Sequence, residues 1–87
     1  MKHLIGKTVI VLHLIRDEDS DIAHLTQGIV KSIHDHMICL EDSFDINEDT
    51  PILLTDAILN GQKPRTFWFN TRSKCFCGII ETTFSQI

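Results

Sequence analysis

Short hydrophobic runs alternate with polar segments along this chain, and the runs have the length and residue types of β-strands. The first run is rich in β-branched residues and apolar on both faces, which is typical of a strand covered on both sides. His34-Asp35 separates the second run from the third, as a tight hairpin turn would. The pattern predicts five strands, at residues 8–15, 26–33, 36–41, 65–70 and 74–81.

The segment of residues 51–61 is compatible with two structures. Thr50 is a good N-cap, Pro51 suits the first helical position, and Asn60-Gly61 is a typical helix stop. Asn-Gly is also the strongest two-residue hairpin signal, so a strand followed by a turn is the alternative. The sequence therefore predicts either a short helix near residues 51–60 or a strand followed by a turn.

Five strands with mostly short connections in 87 residues predict a mainly β fold, either a small five-stranded antiparallel barrel or a strongly bent sheet. Gly28, inside the second strand, predicts a bend or a bulge there. Residues 6–11, 27–30 and 37–42 resemble the first three strands of an Sm-like or SH3-like barrel, so the resemblance covers about residues 6–42. In an Sm-like barrel the fourth strand would follow soon after the third, whereas here residues 42–63 intervene.

The length and composition indicate one domain, residues 1–87, of ordinary globular character. No apolar run approaches the roughly 20 residues of a membrane-spanning helix, and we expect no membrane association. The three cysteines are an odd number, which disfavours a secreted disulfide framework. A reducing cytoplasm is therefore the expected location.

Charge is distributed unevenly around a net charge of −4. Eleven of the twelve acidic residues lie between Asp17 and Asp56, many of them in residues 16–24 and 42–50, which we predict to be solvated loops. These acidic loops, or an exposed β-edge, could bind a protein partner, as an accessory or inhibitory protein would.

Residues 63–74 combine four cations with three consecutive aromatic side chains and contain no acidic residue. Such a mixture suits a surface that neutralises phosphate and stacks on bases. We therefore predict that an anionic ligand, either a single-stranded nucleic acid or a nucleotide, binds through five residues of this segment: Lys63, Arg65, Trp68, Arg72 and Lys74.

A zinc-stabilised domain is a less favoured alternative. Cys75 and Cys77 would share one side of a strand, and His34 and His36 flank a turn, so the four could form a cysteine–histidine tetrad. Their spacing is unlike that of known zinc sites, and we expect no cofactor.

The sequence lacks a nucleophile elbow, a phosphate-cradling glycine loop and a metalloprotease helix, and a chain this small has little room for an enclosed active site. We therefore expect a non-enzymatic binding or adaptor module. A thin barrel covers only one face of the first strand with its own core. The other face needs residues 51–61 or a neighbouring subunit, which favours a homo-oligomer.

Overall fold

The computed structural model describes residues 2–17, 20–48 and 50–82. In chain order, these residues form a short 3-10 helix (Lys2–Leu4), β1 (Thr8–Asp17), β2 (Ser20–His34), β3 (Met37–Ile46), α1 (Leu54–Leu59), β4 (Arg65–Asn70) and β5 (Phe76–Glu81). Five strands and one short helix confirm the predicted mainly β class.

The strands form one antiparallel sheet in the order β4-β3-β2-β1-β5, so β4 and β5 are its two edges among the described residues. The sheet is strongly bent but is not closed into a barrel. The bend is evident from His13 on β1 and Phe69 on β4. Their ring centroids lie 4.9 Å apart although two strands separate them in the sheet.

The bend is centred on β2 near Gly28. The register between β2 and β3 shifts twice close to this residue, and each shift kinks the strand. A side chain at Gly28 would have its Cβ 3.0 Å from the Cβ atoms of both Leu40 and Ser43. The glycine therefore permits a close approach of β2 to β3, and the register shift across it confirms the bend or bulge that the sequence analysis predicted there.

Both faces of β1 are buried, each in its own hydrophobic cluster. Val9 and Val11 pack on the inner face of the bent sheet with Val30, Ile38, Leu40, Phe69 and Leu4. Ile10 packs on the opposite face with Phe44, Ile46 and Ala57 of α1. Because α1 supplies the cover for the second face, that face does not require a neighbouring subunit.

The segment that leads into α1 is attached to the sheet by a buried glutamine. The side chain of Gln27 is fully buried, and its Oε1 accepts a hydrogen bond from the Ile52 N–H at 2.8 Å. Its Nε2 donates to the Ile52 carbonyl at 2.7 Å. This pair of bonds reproduces a backbone pairing and holds α1 over its face of the sheet.

The two predicted acidic loops are largely strand. β1 extends to Asp17 and β2 begins at Ser20, because the apolar pairs Leu14–Ala23 and Ile15–Ile22 continue the ladder outwards. Similarly, β3 extends to Ile46 because Ser43, Phe44 and Ile46 are buried while Asp42 and Asp45 face solvent. Of the acidic residues assigned to those loops, Glu18, Asp19 and Asp49 lie outside the described residues.

Of the two structures expected for residues 51–61, the helix is the one that forms, and it begins later than the sequence indicated. α1 begins after Leu53, and the side chain of Thr50 makes no cap hydrogen bond to it within the described part of the chain. The predicted stop is correct, since Asn60 is the C-cap and Gly61 has φ +91°. The β2–β3 turn lies at Asp35-His36, one residue later than predicted.

Candidate functional site

The five predicted ligand-binding residues lie along β4 and just beyond its two ends. Lys63 precedes the strand and Arg65 begins it, Trp68 is near its centre, and Arg72 and Lys74 belong to the β4–β5 turn. All five are exposed. Because β4 is six residues long, the cations form two groups separated by roughly 17 Å along the strand.

The two faces of β4 have different roles. Phe67 and Phe69 face the inner cluster with ring centroids 4.7 Å apart. The guanidinium of Arg65 lies 5.2 Å from the centroid of Phe67, so it covers the inner aromatic pair. Trp68 points to the opposite face and is 49% exposed. The structure therefore separates Arg65 from Trp68 by the thickness of the sheet.

The β4–β5 turn is held by hydrogen bonds at its backbone. The N–H and Oγ1 of Thr71 both donate to the carbonyl of His36, at 2.8 and 3.0 Å. The Arg72 N–H donates to Asn70 Oδ1 at 2.9 Å. The turn thus has a fixed backbone, while the side chains of Arg72 and Lys74 extend into solvent.

A cavity of about 150 Å³ lies between the end of β4 and the start of β5. Its walls are mostly aromatic, and on the inner face of the sheet they include His13, Phe67 and Phe69. A larger cavity of about 530 Å³, beside the β1–β2 hairpin, is lined by none of the predicted ligand-binding residues. The smaller cavity adjoins the basic turn, since Ser73 and Cys75 also line it.

A buried polar network, which the sequence did not predict, borders this aromatic region. His13 Nε2 and Thr26 Oγ1 are 2.9 Å apart, and the Thr26 hydroxyl donates to Asp45 Oδ1 at 3.2 Å. The Thr26 oxygen therefore accepts a hydrogen bond from the Nε2–H of His13. Burial lowers the pKa of His13, and neighbouring His24 lowers it further, while Asp45 opposes both. The one feature of the sequence that indicated a buried His13 was its spacing, because residues 9, 11 and 13 lie on the same face of the first strand.

The predicted zinc tetrad is not assembled. His34 and His36 lie at the β2–β3 turn, and Cys75 and Cys77 lie at the start of β5. Among residues 2–17, 20–48 and 50–82, no three or more histidine, cysteine or acidic side chains are grouped as metal ligands would be. The zinc-stabilised alternative thus gains no support.

Comparison with protein-family models, with curated proteins and with solved structures finds no match to this chain. Its function is therefore argued from its own residues. Within the described ranges, no helix has the length and apolar character needed to cross a bilayer.

Proposed function

We propose that this domain is a non-enzymatic binding module for an anionic ligand that carries an aromatic base, namely a nucleotide or a single-stranded nucleic acid. The observation that supports this most is Trp68, a large aromatic side chain left 49% exposed near the centre of an edge strand. An exposed indole is a platform on which a base can stack, and stacking is worth about 1–3 kcal/mol per base.

The cations around Trp68 would hold the phosphates. Arg72 and Lys74 are exposed on a turn with a fixed backbone, and Lys63 is exposed at the other end of β4. A ligand that spans the strand would meet cations at both ends and the indole between them. Arg65 would contribute to the local positive field while it covers Phe67.

The net charge of −4 restricts the kind of ligand. Most of the acidic residues lie between Asp17 and Asp56, so a long duplex that contacted much of the surface would be repelled. A short or flexible single strand can contact β4 alone. The strand number and the bend at β2 also agree with a relative of the Sm-like or SH3-like barrels, an assignment that remains part of this proposal.

The proposal predicts salt-dependent binding of a labelled single-stranded oligonucleotide, measured by fluorescence anisotropy. Trp68→Ala should weaken binding about 5- to 150-fold, the equivalent of one stacked base. Arg72→Ala should weaken it and reduce the slope of log affinity against log salt by about 0.7 for each phosphate that is no longer neutralised.

Lys31→Ala is the matched control, because Lys31 is an exposed cation on β2 outside residues 63–74. It removes the same charge and should leave the affinity nearly unchanged. Equal weakening by Lys31→Ala and Arg72→Ala would show that the net charge matters and the proposed surface does not.

A second candidate function, self-association, is favoured by the β1–β2 hairpin. Ile15 and Ile22 lie directly opposite each other and are 43% and 44% exposed, an apolar pair at the outer part of the hairpin. A second copy of the chain could bury this pair, which would make the domain a homo-oligomer.

Native mass spectrometry tests self-association. Ile22→Ser should shift an oligomer towards monomer, whereas Ile58→Ser, at a similarly exposed position on α1, should not. A wild-type protein that is monomeric at high concentration would contradict this candidate function.

A further inference from the structure

Two free thiols are close together where β5 begins. Cys75 is in the β4–β5 turn and Cys77 is in β5, and both are exposed. Cys39, on β3, is only 2% exposed. The chain therefore has one accessible thiol pair and one buried thiol that can serve as an internal reference.

β5 departs from regular strand geometry at Cys77. Leu12 pairs with Gly78 and His13 pairs with Phe76, so Cys77 is the additional residue of a β-bulge. In a regular strand, Cα atoms two residues apart are separated by about 6.6 Å. That is close to the upper limit of about 6.8 Å for a disulfide.

The side chain of Cys77 is directed back towards the backbone of Cys75. The Sγ of Cys77 lies 3.8 Å from the carbonyl oxygen of Cys75. That same oxygen accepts a hydrogen bond from the Leu14 N–H at 2.7 Å, and the Cys75 N–H donates to Ser73 Oγ at 3.1 Å. The backbone of Cys75 is thus fixed on both sides, while the side chains of both cysteines are exposed.

We infer that Cys75 and Cys77 form a thiol–disulfide exchange site that reacts with a small anionic disulfide such as oxidised glutathione. Arg72 and Lys74 precede the pair on the same turn and are exposed, so they attract a negatively charged disulfide to it. The inference does not depend on the ligand proposed for Trp68.

The exchange proceeds in two balanced steps. The thiolate of Cys75 attacks one sulfur of the small disulfide, whose S–S bond breaks to release one small thiolate. The thiolate of Cys77 then attacks the Cys75 sulfur of the mixed disulfide and displaces the second small thiolate. The protons of the two cysteines pass through solvent to the two departing thiolates, so one disulfide is reduced and the cysteine pair is oxidised. An exposed disulfide of this kind is readily reduced again, which makes the site reversible.

Intact-mass spectrometry of the reduced full chain, acid-quenched at intervals after addition of oxidised glutathione, tests this inference. The wild-type protein should end as a monomer that has lost two hydrogen atoms, with no glutathionyl group retained. Cys77→Ser should instead accumulate one stable glutathionyl group on Cys75, because the second step is blocked.

Cys39→Ala is the control and should behave as the wild-type protein does, since Cys39 is buried. The inference fails if the wild-type protein retains a glutathionyl group as Cys77→Ser does. It also fails if the oxidised product is a disulfide-linked dimer, or if Cys39 is modified as fast as Cys75.

Discussion

Replacing Gly28 by alanine perturbs the bend of the sheet at one defined position. The added Cβ would lie 3.0 Å from the Cβ atoms of Leu40 and Ser43 and 3.2 Å from Leu40 Cδ1. Ser43 is itself fixed, because its Oγ donates to the Arg65 carbonyl at 2.6 Å. Neither neighbour can therefore move away without disturbing the β3–β4 pairing or the core.

The expected free-energy change follows from two opposing terms. Overpacking in a well-packed core destabilises by about 1–3 kcal/mol. Alanine in place of glycine within a strand restores about 0.5–1 kcal/mol through lower chain entropy. The difference between the two terms is about 0–2.5 kcal/mol, so Gly28→Ala should lower the free energy of unfolding by about 1 kcal/mol, near the middle of that range. For a domain of this size, a change of about 1 kcal/mol corresponds to a decrease in Tm of about 4–8 °C.

Urea unfolding of Gly28→Ala and Gly78→Ala provides the assay and its control. Gly78 also lies within a strand, but a Cβ there would have no described atom within 4 Å. Only the entropy term applies at that position, so Gly78→Ala should be neutral or slightly more stable than the wild-type protein. The packing argument is wrong if Gly28→Ala is as stable as the wild-type protein, or if the two variants change stability equally.

Two further predictions concern the buried polar residues. Gln27→Leu removes both hydrogen bonds to the Ile52 backbone and should lower the free energy of unfolding, measured with urea, by about 2–4 kcal/mol. The control Gln62→Leu removes one exposed hydrogen bond of 3.3 Å to the Asp45 carbonyl and should have little effect. Because the pKa of His13 is lower in the folded protein than in the unfolded chain, its contribution to stability is present above about pH 6.5 and is lost as the pH falls below that value. Tm measured against pH should therefore fall less steeply on the acidic side in His13→Gln, and an unchanged slope would contradict the assignment.

The strands that carry dense local signals could be predicted from the sequence. The run of β-branched residues in β1 and the aromatic run in β4 each specify extended backbone almost independently of their surroundings. The stop of α1 was equally local, because Gly61 supplies the positive φ that ends the helix. In these segments local preference and tertiary context agree.

The lengths of the β1–β2 hairpin and of β3 could not be predicted, because they depend on pairing between strands. The residues around Asp17 and Asp45 have the composition of loops. They are nevertheless paired with β2, because they continue strand pairing whose register is set by other residues of the same strands. Charged side chains on a strand can face solvent while alternate residues remain buried. Composition alone therefore underestimated the lengths of all three strands.

The order of the candidate residues along the chain is evident from the sequence, whereas their arrangement in three dimensions is not. Alternation along β4 puts Trp68 on the other face of the strand from Phe67, and it puts Arg65 on the same face as Phe67. The contact between His13 and Phe69 required knowledge of the bend, since the two residues are 56 positions apart in the sequence. The bulge at Cys77 likewise depends on the register between β5 and β1.

Intrinsic fluorescence of Trp68 tests the proposed function most directly, because the chain has one tryptophan and no tyrosine. Titration with a short single-stranded oligonucleotide at low salt should change the emission to saturation as bases stack on the indole. Higher salt should move the midpoint to higher concentrations, since phosphate contacts weaken. Unchanged emission at low salt with both oligonucleotides and nucleotides, or a midpoint that salt does not move, would contradict the proposal.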